Sequence, residues 1–103
     1  MNADLIARFG RRFIRSARER LAAASGLDGS QPAEAARTLA LHLHSISGEA
    51  AMIGFAELSQ LAREVMRTAR SVEESALPAS DCAAAIARLS RVIDELERTL
   101  PPP

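Results

Sequence analysis

The chain has 103 residues, with 13 basic side chains, all arginine, balancing 13 carboxylates, and one cysteine. That length builds one compact core rather than two. The lone Cys82 excludes an intrachain disulfide and a cysteine zinc cluster, and zero net charge argues against a nucleic-acid surface. No apolar run is long enough to span a bilayer, and the first residues lack the apolar stretch of a signal peptide. The expectation is therefore a soluble, cytoplasmic protein with no membrane partner. Alanine and leucine dominate while aromatic and β-branched residues are few, which favours helix.

Apolar spacing predicts four helices. The first spans about Asp4 to Ala24, with Ile6, Phe9, Phe13, Ala17, Leu21 and Ala24 on one face. Gly26 and Gly29 break the chain, and Ser30 followed by Pro32 is a helix-start signal. The second helix runs from about Pro32 to Ile53 on a stripe of Leu39, Leu43, Ile46, Ala50 and Ile53, and Gly54 suits its C-terminal cap. The third runs from about Phe55 to Val72, with Leu58, Leu61, Ala62, Val65, Ala69 and Val72 facing inward. Pro78 marks a loop over 73–79, and Ser80 is the expected N-cap of the fourth helix. In that helix Cys82, Ile86, Leu89, Ile93, Leu96 and Leu100 form the cleanest heptad before Pro101–Pro103 end it. Four striped helices with short connections predict an all-α, antiparallel up-down four-helix bundle. A helical hairpin that dimerises would carry the same stripes; a monomer is the preferred reading.

The chemistry is concentrated in His42-Leu43-His44-Ser45-Ile46-Ser47-Gly48. His44 follows the core residue Leu43, so it is turned about 100° from the core centre onto the bundle's flank. Its neighbours one turn away are Ala40, Leu41, Ser47 and Gly48. Gly48 in a helix interior costs about 1 kcal/mol relative to alanine, which is expected where something must approach the backbone or the helix must bend. Taken alone, His44 reads as an ordinary surface histidine. His42 faces another side, and a spacing of two on a helix does not make a metal pair; no metal site is expected. Arg8, Arg11, Arg12, Arg15 and Arg18 make a basic face on the first helix, read as a solvated face, with steering of an acidic partner as the alternative. Cys82 reads as a small buried residue. Met52 and Phe55 read as packing residues, although Leu41 and Met52 also suit an apolar docking patch.

This stretch resembles the histidine-containing phosphotransfer (HPt) domains of bacterial and plant phosphorelays, whose motif is His-x-Leu-Lys-Gly-x-Ala followed by an apolar residue and Gly. His44, Ile46, Gly48, Ala50, Ile53 and Gly54 stand in matching places. The likeness covers the whole chain, including paired phenylalanines on the first helix and Phe55-Ala56-Glu57-Leu58 opening the third, so residues 1–103 read as a single HPt-like helical domain. The resemblance implies that His44 is the phosphoacceptor, that Gly48 clears space beside it, and that Leu41, Ala51 and Met52 lie on the docking face. It implies as partners the aspartate-bearing receiver domains of response regulators or hybrid histidine kinases. The chain departs from the family at Ser47, where the lysine that faces the phosphoryl group stands, and at Met66, where many relatives carry Gln or Glu. Arg63 and Arg67 flank Met66, and Arg63 is the candidate to replace the missing charge; Ser47 is expected to keep a hydrogen bond to offer.

A neutral imidazole is a usable nucleophile near pH 7, and its phosphoramidate is reactive enough to pass the group on. The chain has no Gly-rich nucleotide loop and no cluster of metal-binding carboxylates. No activity on ATP and no cofactor of its own are expected, and Mg²⁺ belongs to the partner receiver. The leading reading is a phosphocarrier. Its alternative is a pseudo-carrier that binds a receiver or kinase as scaffold or inhibitor, supported by the missing lysine. A third is a plain dimerisation module without histidine chemistry.

Overall fold

The computed structural model describes residues 3–101, with side chains described from residue 5 onward. Helix α1 (Ala3–Leu21) runs into a 3-10 segment (Ala22–Asp28), followed by α2 (Pro32–Met52), α3 (Ala56–Glu73) and α4 (Ala79–Thr99). Contacts between the helices fix an up-down order. Arg18 of α1 reaches Asp94 and Glu97 of α4. Arg20 meets Glu49 of α2, and Glu64 of α3 meets Arg88 of α4. Each chain neighbour is therefore antiparallel, and the bundle closes within one chain, 44 Å long and 19 by 16 Å across.

The two tightest connections are helix caps. After α2, the Gly54 amide donates to the Ala51 carbonyl and the Phe55 amide to the Ala50 carbonyl (2.8 Å). This is a Schellman ending, with Gly54 at φ +87° taking the left-handed position where a Cβ is penalised. It turns the chain at once into α3 and drops Phe55 edge-on against Phe13, ring centroids 5.9 Å apart. The end of α3 repeats the pattern, with Ser75 donating to Val72 and Ala76 to Ser71. There the left-handed residue is Ser75, at φ +62°. Ser75→Gly removes that strain and should stabilise the domain by about 1 kcal/mol, a rise in melting temperature of about 4–8 °C by circular dichroism. No rise would mean that Ser75 carries no strain.

The core agrees with the sequence stripes on α2, α3 and most of α4: Leu39, Leu43, Ile46, Ala50, Ala62, Ala69, Cys82 and Leu89 are fully buried. Burial pushes the Cys82 thiol up from its ordinary pKa, as for an inert core cysteine. Ile53, Leu96 and Leu100 are half-buried at the bundle's edge. On α1 the expected face is wrong near its start. Phe9 is 39% exposed and Ile6 half-buried, whereas Ala7 and Ile14 are buried. Gly10 explains the rotation. It packs so closely that a Cβ there would stand 3.2 Å from Phe55 and 3.3 Å from Leu100, so the face carrying Ala7, Gly10 and Ile14 is the one that enters the core.

Three boundaries also differ. The α-helix of α1 stops at Leu21, and Ala24 falls in the 3-10 segment, which tightens so that Leu27 can be buried. Gln31, not Ser30, precedes α2, and no side-chain cap bond is made. Ser80 does not cap α4; the helix begins at Ala79 behind Pro78, whose extended backbone ends the loop. Of the terminal prolines, Pro102 and Pro103 lie outside the described residues.

Interhelical charges fasten α1 to α4. Arg18 donates to both Glu97 carboxylate oxygens (2.9 Å) and to Asp94 (2.7 Å), which holds the Glu97 carboxyl below the usual carboxylate range and raises the Arg18 guanidinium further. Arg11 donates to the Pro101 carbonyl, fixing the end of α4.

Candidate functional site

His44 is exposed near the middle of α2, on the flank about 100° round from Leu43. The helical period puts Leu41, Gly48 and Ala51 on the same face. Leu41 is 66% exposed and Met52 83%, the two most exposed large apolar side chains among the described residues. Phe55 packs against the core as expected, whereas Met52 does not. Gly48 has open space over it: a Cβ there would meet nothing within 4 Å. The face is therefore a strip of exposed apolar and small residues that carries one imidazole. His42 is half-buried on the α1 side, away from this strip.

Ser47 is the main correction. It is 5% exposed, and its hydroxyl donates to the His44 carbonyl at 2.8 Å. A side chain this short bonds back to its own helix one turn earlier rather than reaching the surface. Its hydroxyl is thus committed to the backbone and does not stand ready for a group on the imidazole. The Ser47 carbonyl in turn accepts a bond from the Ser59 hydroxyl of α3, also at 2.8 Å and buried. Sequence periodicity gave no sign of Ser59, because a lone serine on a helix flank reads as solvated.

That bond registers α3 against α2. Arg63 lies one turn beyond Ser59, about 6 Å along α3, and His44 lies one turn before Ser47, about 4.5 Å along α2. In antiparallel helices both steps run the same way, so Arg63 and His44 lie nearly level. Arg63 and Arg67 are exposed, and neither guanidinium has an ion pair or hydrogen bond to a described residue. Met66 is half-buried and packs on the core cluster. It offers no polar atom able to orient the ring beyond a weakly accepting thioether.

Among the described residues no cluster of His, Cys, Asp or Glu suits a metal ion, and no helix is long and apolar enough to cross a membrane. No curated protein and no solved structure matches the chain. The family model of the Hpt domain matches residues 9–99, from the second turn of α1 to the last residue of α4. With its four helices and their order, the chain belongs to the Hpt domain family, whose role is phosphotransfer in two-component signalling.

Proposed function

We propose that this chain is a phosphorelay intermediate, acting as one helical unit that carries a phosphoryl group on His44 to or from an aspartate of a response-regulator receiver domain. The observation that supports this most is the exposed imidazole on an exposed apolar strip, beside the unfilled space over Gly48. In the forward step an imidazole nitrogen attacks the aspartyl-phosphate phosphorus. The N–P bond forms as the P–O bond to the carboxylate breaks, the aspartate leaves as carboxylate, and the other ring nitrogen releases its proton to solvent. Reversal returns the group. The chain's task is to present the nucleophile and to allow in-line approach. Mg²⁺ and the nucleotide chemistry are assigned to receiver and kinase, and Leu41, Ala51 and Met52 to the docking contact. The cytoplasm is the compartment in which such partners meet it.

Receivers from the same cell, charged with acetyl phosphate and incubated with the chain, should add one phosphoryl unit to its intact mass. A second reading is favoured by the burial of the Ser47 hydroxyl and by the thioether of Met66: a pseudo-carrier that binds receivers without accepting the group. Binding without mass gain selects it.

Gly48 offers a separate test. Gly48→Leu has room on the helix and gains helix propensity, so the fold should hold or strengthen by up to about 1 kcal/mol. The new side chain stands in the docking strip, and receiver affinity should fall about tenfold or more. Unchanged affinity measured by calorimetry in the folded variant would remove Gly48 from the contact.

A further inference from the structure

We propose that α3 supplies the cationic half of the site: Arg63, with Arg67 beside it, binds the oxygens of a phosphoryl group carried on His44. This rests on the carrier reading and adds to it the residues that bind the transferred group.

Three observations converge. The Ser59–Ser47 bond sets Arg63 level with His44 across the α2–α3 groove. Helical side chains lean toward their own N-terminus, so His44 leans toward the level of Arg67, and the Arg63 stem leans along α3 toward the level of Ser47 and Gly48. That is the place from which the short, buried Ser47 contributes no charge. Arg67, one turn later, leans back toward the level of His44.

The second observation is how the carboxylates are sorted. The acids closest in sequence to His44 and Arg63 are Glu49 on α2 and Glu64 on α3. Glu49 lies about 160° round α2 from Ser47, and Glu64 about 140° round α3 from Ser59, so helix phase turns both away from the α2–α3 groove. Arg20 holds Glu49 on the α1 side at 3.2 Å and Arg88 holds Glu64 on the α4 side at 3.7 Å, while neither Arg63 nor Arg67 has an ion pair to a described residue. The third is the guanidinium itself, permanently charged and able to donate to two phosphoryl oxygens at once. Its exposure keeps the interaction screened in the free protein and strengthens it when a docked receiver excludes water.

Arg88 is thus not a neutral control, because its loss frees Glu64. Arg91, exposed on α4 without an ion pair to a described residue, is one. The test uses the full chain carrying His42→Gln, so that a single phosphohistidine forms. Phosphoramidate is the donor: its P–N bond breaks, ammonia leaves, and an N–P bond to His44 forms without any receiver. The titration of the bound phosphoryl group is then followed by ³¹P NMR. A neighbouring cation favours the dianion, so Arg63→Ala should move that titration up by about half a pH unit. Arg63→Lys should restore part of the shift and Arg91→Ala should leave it unchanged. Transfer from a charged receiver should slow about tenfold in Arg63→Ala. A titration unmoved in the Arg63→Ala, Arg67→Ala double variant overturns the proposal, as does a wild-type His44 that accepts phosphoryl from neither donor. If phosphoramidate loads His44 and the arginines shift its titration while no receiver does so, the arginine site stands and the carrier reading falls.

Discussion

His44→Gln is expected to abolish phosphoryl acceptance entirely while leaving the domain folded and receiver binding nearly intact. The side chain is exposed and has no hydrogen bond or ion pair to a described residue, so its replacement should change stability by no more than about 0.5 kcal/mol. Glutamine keeps much of the volume and polarity but has no nucleophilic lone pair on nitrogen. No second imidazole stands on the strip where a receiver would dock. His42 lies about 160° round the helix and is half-buried on the α1 side. Intact-mass measurement after incubation with charged receivers should show the added phosphoryl unit in wild type and none in the variant, with calorimetric affinity within about threefold. A variant that still gains the group would place the acceptor elsewhere and end the reading of His44.

Much of this site was legible before the structure because it depends on local periodicity. The offset of His44 from Leu43 and Ile46 fixes its face, and Gly54 announces the turn that closes α2. The burial of Leu58 to Val72 on α3 follows from the same arithmetic. What escaped depends on other helices. Phe9 and Phe13 have equal hydrophobicity, and only the close approach of Gly10 to Phe55 and Leu100 selects which of them enters the core. Periodicity presents Ser47 as a polar group on the helix flank, whereas its hydroxyl is committed to the His44 carbonyl. Helix phase turns Glu49 and Glu64 away from the α2–α3 groove, but the cation each one meets, Arg20 or Arg88, stands on a different helix and is not encoded by spacing within α2 or α3. Family resemblance carried the histidine and the glycines, but at Ser47 and Met66 it could only mark a departure.

Two leucines of α2, Leu41 and Leu43, should respond in opposite ways, and together they test the whole orientation of the helix. They are two residues apart, so about 160° separates them on the helix. Leu43 is fully buried and Leu41 is 66% exposed. Leu43→Ala removes packed methyl groups from the centre of the core and leaves a cavity that the surrounding helices only partly close. The expected loss is about 2–5 kcal/mol, lowering the melting temperature by roughly 10–20 °C. Leu41→Ala removes only solvated surface, and stability should stay within about 0.5 kcal/mol. Its effect belongs to the docked state. Covering a leucine of this exposure is worth about 1.5 kcal/mol or more, so receiver affinity should drop about tenfold with the fold unchanged. Paired thermal melts and receiver titrations of the two variants decide the matter. A stable Leu43→Ala would mean that α2 is turned differently from the bundle described above. Full receiver affinity in Leu41→Ala would remove Leu41 from the docking contact and leave it to Ala51 and Met52 or to the arginines of α3.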